Sequence, residues 1–552
     1  MASSAADTVF VGGSLFTAGM SSSAPGAVAV SGGRITAVGT DAQVRELVGP
    51  ATEVVDLAGG LLVPGFQDAH VHPVMAGVDM LRCDIHHCHS ADEALAVIEA
   101  YAGAHPELPW IVGAGWSMDH YPGGTPTRQL LDRVVPDRPA YFPNRDGHGV
   151  WANTRALEMA AITASTPDPA DGRIEREPDG HPAGTLHEGA GHLVGHLLPQ
   201  VDRAGQIAGL RVAQAHLFSL GITSWQDAAV GEMFGQNDIL PVYLEAAASG
   251  DLKGRAVGGL WWDRMRSSDQ ITDIVDRRGN GGTGRFRPTS VKIMLDGVAE
   301  NFTAAMLEPY EDGCGCQTEN DGLDFVDPVG LKEYVTRLDA AGFQVHFHAL
   351  GDRAVRHALD ALQAAREANG PTDGRHHLAH LQVVHPDDVP RFAQVGATAN
   401  IQALWAAHEA QMDELTIPFL GERRAAWQYP FGDLERAGAL LAAGSDWSVS
   451  SADPLDGIHV AVNRRVPGNA DALPLDASQA LSLATALTAY TAGSARVNHH
   501  DDTTGRIAEG FYADLAVLDR DPFAGPVDAV HEAAVSTTWV EGERVFQRET
   551  AS

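Results

Sequence analysis

Apolar and polar positions alternate along both ends of the chain, and glycines mark where the alternation breaks. Near the start the runs are TVFVGG, SLFTA, AVAVSGGRITAVG and ATEVVDLAGGLLVPG, and near the end GRIAEGFYADLAVLDRDP and AAVSTTWVEGERVF. A period of two with glycine punctuation predicts β-hairpins rather than helices. Because chain termini commonly lie close together in a folded domain, we predict one small β-sandwich domain built from residues 1–62 and 500–552.

The middle of the chain alternates short apolar runs with amphipathic helical segments such as DRAVRHALDALQAAREA, as repeated βαβ units do. The predicted strands are residues 63–72, 222–227, 255–262, 290–296, 343–348, 377–382, 398–404 and 441–445. Eight such units predict an α/β fold, a TIM-like (β/α)8 barrel over residues 63–499. The first two strands are much farther apart than the others, so we predict an inserted subdomain at about residues 78–204, over the active-site face.

Composition and charge narrow the class of protein. Hydrophobic residues make up 44% and charged residues 20% of the chain, as in ordinary globular proteins. No apolar run reaches the roughly 20 residues of a membrane helix, and the first residues lack the pattern of a secretory signal. The net charge of −34 repels nucleic acids and anionic membranes. We therefore expect a small-molecule substrate, no nucleic-acid or membrane partner, and a homodimer as the default assembly.

Four cysteines are too few for a disulfide framework in a long chain, so we expect a reducing, cytoplasmic location. Cys314-Gly-Cys316 is either a loop with two incidental thiols or a metal or redox pair. The run HHCH at residues 86–89 combines two types of metal ligand. Its members are nearly contiguous, however, whereas a tetrahedral centre usually draws on separate segments. A structural role is favoured for the cysteine pair and for the HHCH run.

Side chains of the metal-ligand type follow several predicted strands. His70 and His72 stand at positions i and i+2 of an extended segment, so they point the same way and can reach one cation. Later strands end in His348, His380 and Asp446. Because the carboxyl ends of barrel strands converge on one face, where active sites form, we expect these five residues to share one site.

Two further polar residues bear on that site. Asp68 precedes the histidine pair by two positions and could orient a ligand by accepting a hydrogen bond. Lys292 lies within the apolar run TSVKIMLDG, where a buried ammonium is costly. It is either a snorkelling or ion-paired lysine, or a lysine carboxylated by CO₂ whose carbamate oxygens can bridge two metal ions.

Longer motifs resemble those of the amidohydrolase superfamily, in particular its amidohydrolase-3 branch, which includes N-substituted formamide deformylase. The resemblance spans nearly the whole chain and rests on VPGFQDAHVHP, TPTRQLLDRVVPDRPAYFPNRDGHGVWANTRAL, GITSWQDA, SVKIMLDG, HFHALGDRAV, HLAHLQVVHPDD and GSDWSV. This chain departs from the branch in having DAH where D-S-H is usual and AHLQ where E-H-A-Q is usual. The metal ligands implied by the resemblance are His70, His72, Lys292, His348, His380 and Asp446.

The chemistry that the resemblance implies is hydrolysis of an amide or formamide-type C–N bond by a metal-bound hydroxide. The expected cofactor is Zn²⁺, as one ion or two depending on Lys292, with Mn²⁺ or Fe²⁺ as alternatives. Asp446 would act as general base. His148, in RDGHGVW, is either a structural loop histidine or a residue that binds the substrate carbonyl or the oxyanion. Cyclic amide, carbamate or ester hydrolysis at the same site is the alternative activity, and a non-catalytic metal-binding regulator is the alternative class.

Four tryptophans lie beside these motifs: Trp116, Trp151, Trp405 and Trp447. Aromatic side chains near a site either pack in the core or contact the substrate. Taken together they predict an apolar pocket and a partly apolar substrate, such as an N-aryl or N-alkyl amide. Trp447 stands where the branch more usually has a small residue, which indicates an altered pocket.

Overall fold

A computed structural model of the protein describes residues 5–232 and 237–549. Its strands within these ranges fall into three sheets. In chain order they are β1 (Thr8–Leu15), β2 (Ala24–Ser31), β3 (Arg34–Gly39), β4 (Glu53–Asp56), β5 (Leu61–Pro64), β6 (Phe66–Val71), β7 (Cys83–Asp84), β8 (Ile111–Ala114), β9 (Ala140–Pro143), β10 (Gly149–Ala152), β11 (Gly172–Arg176), β12 (Pro182–Glu188), β13 (Ile222–Val230), β14 (Arg255–Trp261), β15 (Phe286–Met294), β16 (Gln344–Ala349), β17 (His377–His380), β18 (Thr398–Ile401), β19 (Leu440–Ala443), β20 (Leu515–Leu518), β21 (Val535–Val540) and β22 (Glu543–Gln547).

The α-helices lie mostly between the barrel strands. They are α1 (Asp41–Arg45), α2 (Pro73–Met80), α3 (Ala91–Ala104), α4 (Arg128–Val134), α5 (Thr154–Met159), α6 (His192–Gly195), α7 (Arg203–Ser219), α8 (Leu240–Ser249), α9 (Ile271–Gly281), α10 (Pro328–Ala340), α11 (Asp352–Asn369), α12 (Val389–Val395), α13 (Ile417–Ala425), α14 (Phe431–Arg436), α15 (Pro454–Asn463), α16 (Leu483–Thr488) and α17 (Ser494–Val497). Among the described residues, none of these helices is long and apolar enough to cross a membrane.

The central sheet is a parallel barrel of eight strands in the order β6, β13, β14, β15, β16, β17, β18 and β19. This confirms the predicted TIM-like barrel. Hydrogen bonds just beyond the end of β19 bring that strand back to β6. The backbone N–H of Asp446 donates to the His70 carbonyl at 2.8 Å, and that of Ser445 donates to the Asp68 carboxylate at 3.1 Å. The Asp68 carboxylate also accepts from the backbone N–H of His70 at 2.9 Å, so its contact with this candidate ligand is made through the backbone.

Strand β16, with the sequence QVHFHA, shows how the barrel separates packing from chemistry. All of its residues are buried, because helices cover the outer face and side chains fill the inside. Val345 and Phe347 join the main hydrophobic core. The alternate positions Gln344, His346 and His348 make polar contacts instead, so the period of two directs polar groups inward.

The first predicted strand, residues 63–72, is divided in the structure. β5 pairs with β1 and β20 in the terminal sheet, whereas β6 pairs with β13 in the barrel. Gly65 lies between the two strands, and a Cβ at that position would lie 2.5 Å from Cγ2 of Thr223. A single apolar run therefore serves two sheets, a division that hydrophobicity alone does not reveal.

Both ends of the chain contribute to one continuous sheet with the order β22-β21-β20-β5-β1-β2-β3, in which β4 also pairs with β1. The sheet curls on itself, since Phe10 of β1 packs edge-on against Trp539 of β21 with ring centroids 5.2 Å apart. Arg255 of β14 connects it to the barrel through ion pairs with Asp514 at 2.9 Å and Glu541 at 2.6 Å.

A separate sheet with the order β11-β12-β10-β9-β8-β7 lies between β6 and β13 in the chain, within the predicted insertion. It follows α2, which begins at Pro73 directly after His72. α2 packs closely against α7 where Gly77 faces Gly209: a Cβ on Gly77 would lie 2.5 Å from the carbonyl carbon of Gly209. This close contact between α2 and α7 positions α2. It therefore also positions the start of the insertion and His72, the residue before the helix.

Candidate metal centre

Three ligand-type side chains meet at the carboxyl end of the barrel. Oδ1 of Asp446 lies 2.9 Å from Nε2 of His72 and 3.2 Å from Nε2 of His70. The three ligand atoms lie within 4.8 Å of one another, which is the spacing of groups that share one cation. Their positions follow from β6 and from the turn after β19.

The remaining residues of the predicted ligand set surround this cluster. Nζ of Lys292 lies 3.4 Å from Nε2 of His70, and Nδ1 of His380 lies 3.8 Å from Oδ2 of Asp446. The His348 ring lies 4.4 Å from that of His380, measured between centroids. The structure therefore brings all six predicted ligands, from β6, β15, β16, β17 and the segment after β19, to one place.

Two of these residues have backbone conformations that L-amino acids rarely adopt. The φ angle is +81° at His380 and +56° at Asp446, both in the left-handed region. Such strain costs of order 1–3 kcal/mol per residue and concentrates at functional sites. His380 ends β17 and Asp446 lies in the turn three residues after β19, so each strained residue aims its side chain into the centre.

Burial and the charges of neighbouring side chains determine which groups of the cluster are ionised. Burial would raise the pKa of Asp446, but His70 and His72 hold it well below its usual range. Burial lowers the pKa of Lys292 to about 7 and that of His70 to about 3. Ionised carboxylate and neutral imidazole are the forms that bind metals, and an unprotonated amine is the form that can combine with CO₂.

Several buried atoms of the cluster form no hydrogen bond within the described chain: Nδ1 of His72, both ring nitrogens of His380 and Oδ1 of Asp446. Oδ1 of Asp446 is close to two histidines, but no hydrogen bond of good geometry results. Leaving a buried polar atom unsatisfied costs about 1–3 kcal/mol. Nitrogen and carboxylate donors of this kind suit Zn²⁺ and related divalent cations, so the residues fit a bound metal.

A hydrogen-bond chain that was not predicted from the sequence lies beneath His70. Nδ1 of His70 lies 2.9 Å from Nε2 of His346, and Nδ1 of His346 lies 2.7 Å from Oε1 of Gln226. Since an amide oxygen only accepts, His346 donates to Gln226 and accepts from His70, which leaves Nε2 of His70 unprotonated, the form that can bind a metal. The period of two in β16 places His346 on the face of His348, and this was the available signal.

His148 reaches the site from the insertion, in the loop between β9 and β10. Its ring lies 5.2 Å from that of His348, and its Nδ1 lies 2.8 Å from Oε1 of Glu188. Burial lowers the pKa of His148, but Glu188 more than offsets this and raises it to about 9. Glu188 also accepts from Thr303 at 2.9 Å. Glu188 could not be identified from the sequence, because nothing in its local pattern connects it with His148.

The centre opens into a cavity of about 640 Å³ whose walls include Trp405 and Trp447. Trp405 stacks on His380, with centroids 5.4 Å apart and planes 3° from parallel. Trp116 and Trp151 were predicted to contact the substrate, but they are buried in the core of the insertion. Their indole N–H groups donate to the backbone carbonyls of residues 142 and 127, so these two tryptophans pack the insertion instead.

The histidine and cysteine motifs left open by the sequence have different surroundings. His86 lies in the cavity wall, with its Nδ1 2.7 Å from a carboxylate oxygen of Asp84, whereas Cys88 is buried. Cys314 and Cys316 are exposed free thiols. Their backbone N–H groups both donate to Asp312, which is the arrangement of a compact loop.

Several known proteins are similar to this chain in sequence or in structure. Residues 53–546 match the family model described as "Amidohydrolase family". Protein LONG AFTER FAR-RED 3 of Arabidopsis thaliana is 30% identical over 98% of this chain and 92% of its own, and the N-substituted formamide deformylase of Arthrobacter pascens is 29% identical over 98% of each. The crystal structure of an uncharacterized metal-dependent hydrolase from Pyrococcus furiosus has a TM-score of 0.70 at 24% identity, over 94% of this chain and 99% of that one.

Proposed function

The chain belongs to the amidohydrolase family, and on this premise we propose that it is a metal-dependent hydrolase that cleaves the C–N bond of a small amide or formamide. The observation that carries the proposal is the convergence of His70, His72 and Asp446 within 4.8 Å at the floor of a cavity. A relative of similar length is an N-substituted formamide deformylase, which supports an open-chain amide as the substrate.

The residues that would hold a divalent cation are His70, His72 and Asp446, with His348 and His380 beside them. A carboxylated Lys292 would supply the oxygens for a second ion. Zn²⁺ is our choice of metal, because nitrogen and carboxylate donors predominate. When bound, the cation supplies Lewis acidity, which polarises a carbonyl group and makes water more acidic.

Asp446 is the residue that we assign to proton transfer. Because its pKa lies well below the usual range, it is ionised at neutral pH, and Oδ1 accepts no hydrogen bond from the described residues. It can therefore take a proton from the attacking water and deliver it to the leaving nitrogen. Without that delivery, the leaving group would depart as an unstable amide anion.

His148 is the residue that we assign to binding the oxygen of the scissile carbonyl. Glu188 occupies Nδ1 of the ring at 2.8 Å, which leaves the Nε2–H group of the imidazolium as a donor. A donor aimed where negative charge develops contributes more in a water-excluded site than in bulk solvent. Trp405 and Trp447 would cover the apolar part of the substrate, since both line the cavity.

A hydrolysis screen tests this function. The protein, loaded with Zn²⁺ or Mn²⁺, would be offered N-substituted formamides, acyl amides, lactams and esters, and its metal content would be measured alongside. We expect turnover of open-chain amides that is abolished by chelation and restored by metal. Asp446→Asn should retain metal but lose at least about 100-fold in rate, as expected for a general base. Asp92→Asn, an exposed residue of α3, is the matched control. Full activity of Asp446→Asn would contradict the mechanism.

A further inference from the structure

The cavity wall contains a buried acceptor without a donor. Gln382 is only 1% exposed and lines the cavity, but its Oε1 forms no hydrogen bond within the described chain. It is also two residues beyond His380, at the end of β17. A buried amide oxygen without a partner is costly, and in a cavity wall it indicates a site for a hydrogen-bond donor.

The orientation of the Gln382 amide follows from its neighbours. Nε2 of Gln428 donates to the carbonyl of Ala425 at 3.4 Å, which directs Oε1 of Gln428 towards Gln382. Nε2 of Gln382 then donates to that oxygen at 3.4 Å and to Oε1 of Glu300 at 3.5 Å. Turning the Gln382 amide over would set its oxygen against two other acceptors. The free atom is therefore the oxygen.

Glu300 adds a charge next to this acceptor. It lines the same cavity and receives hydrogen bonds from Thr416 at 2.8 Å and from Gln382, both on Oε1. Neither bond uses Oε2. No ion pair with Glu300 occurs among residues 5–232 and 237–549, so the described chain provides no cation to balance this carboxylate.

Two cationic groups of the cavity wall, His148 and Arg145, form no ion pair with Glu300 among the described residues. His148 is paired with Glu188 at 2.8 Å. Burial raises the pKa of the Glu409 carboxyl, and the positive charge of Arg145 partly opposes that rise. Burial raises the pKa of the Glu300 carboxyl, and the negative charge of Asp146 adds to that rise. A cation beside Glu300 would oppose both effects and stabilise the ionised carboxylate, which has no ion-pair partner among the described residues.

We propose that Gln382 and Glu300 form a subsite for a protonated amine of the substrate, so that the preferred amide carries an ammonium group away from its scissile bond. The inference rests on the proposed hydrolase function. An ammonium group offers three donors and one positive charge, which matches an unpartnered carbonyl oxygen beside a carboxylate. A neutral hydroxyl would satisfy the oxygen but leave the charge unbalanced.

A matched set of substrates tests the subsite. N-(ω-aminoalkyl)formamides with chains from ethyl to pentyl would be compared with the hydroxyl analogues of the same length. For the best chain length, we expect kcat/KM of the amine to exceed that of the alcohol by about 10-fold or more, as charged hydrogen bonds contribute in buried sites. A ratio near one at every length would overturn the proposal.

Variants separate this subsite from a general effect of charge. Glu300→Gln and Gln382→Leu should each reduce the amine-to-alcohol ratio by about 10-fold, whereas Gln382→Glu, which keeps an acceptor, should preserve the preference for the amine. Glu409→Gln changes a nearby carboxylate outside the subsite and should alter the ratio by less than about 2-fold. An unchanged ratio in both Glu300→Gln and Gln382→Leu would refute the assignment.

A binding measurement distinguishes failure of the subsite from failure of the hydrolase function. If neither formamide series is hydrolysed, the proposed reaction is wrong, but the subsite can still be tested. Saturation-transfer NMR would then compare n-butylammonium with n-butanol on the wild-type protein and on Glu300→Gln. Binding of the ammonium that is lost in Glu300→Gln supports the subsite, and equal binding of the two probes contradicts it.

Discussion

The pairing of His148 with Glu188 allows the proposed mechanism to be tested by pH. Nδ1 of His148 lies 2.8 Å from Oε1 of Glu188. Because an ionised carboxylate only accepts, Nδ1 carries a proton in both charge states of the ring, and Nε2 carries one only in the imidazolium. Deprotonation of the ring therefore removes the donor that we assign to the substrate carbonyl.

The size of the effect follows from the pKa of His148, which Glu188 raises from 6.5 to about 9 despite burial. This shift corresponds to about 3 kcal/mol in favour of the imidazolium. Glu188→Gln keeps an acceptor oxygen but removes the charge, so the pKa should fall to its ordinary value or below. At pH 7.5 the protonated fraction would decrease from nearly complete to roughly one tenth.

The assay is kcat/KM of the metal-loaded enzyme between pH 6 and 10. Activity should be lost as the pH rises through the pKa of His148, and this loss should occur about two pH units lower in Glu188→Gln. At pH 7.5 the variant should be about 10-fold slower, with recovery towards pH 6. A bound cation lowers both pKa values, so the separation between the two profiles is the quantity to compare.

Thr303→Val serves as the control for that experiment, since Thr303 donates to the same carboxylate at 2.9 Å but carries no charge. Its profile should shift much less than that of Glu188→Gln. If Glu188→Gln loses activity at the same pH as the wild type, His148 does not act as an imidazolium donor and the reasoning is refuted.

Three further predictions concern the metal, the packing and the cavity. His346→Phe should weaken Zn²⁺ binding by about 10–100-fold in calorimetry while the circular dichroism stays native, because loss of a hydrogen bond to a ligand reduces its affinity; undiminished affinity would argue against the role. Gly77→Ala should lower the melting temperature, since its Cβ would overlap the backbone of α7 at a cost of about 1–3 kcal/mol. Gly103→Ala should not lower it, because a Cβ at that position meets nothing within 4 Å. Trp405→Phe should raise KM, whereas Trp151→Phe should lower the melting temperature and leave KM unchanged. A raised KM in Trp151→Phe with no effect in Trp405→Phe would instead indicate that Trp151 contacts the substrate.

Most of the barrel could be predicted because its signal is local. Parallel strands buried on both faces appear as apolar runs, and the runs at residues 222–227, 255–262 and 377–382 each contain or overlap a strand of the structure. The ligand positions were predictable for the same reason. Strand ends converge on one face in this fold, so the ends of β6, β16 and β17 indicated where His70, His348 and His380 would lie.

The parts of the fold and of the site that could not be predicted depend on contacts between segments that are distant in the sequence. Trp116 and Trp405 both follow motif segments, but only the folded insertion shows that one packs in a core and the other faces a cavity. Glu188 and His148 are 40 residues apart, and the sequence contains no pattern that pairs them. The division at Gly65 likewise results from its approach to Thr223, which belongs to another strand.

The sequence by itself determined the eight-stranded barrel and the strand ends at which the candidate ligands His70, His348 and His380 lie, because hydrophobic period and strand ends are properties of short segments. Only the tertiary structure decided what surrounds that set: the histidine beneath His70, the carboxylate behind His148 and the unpartnered oxygen of Gln382. These features arise where side chains from separate elements compete for the same hydrogen bonds. Such competition is resolved only when the elements have packed.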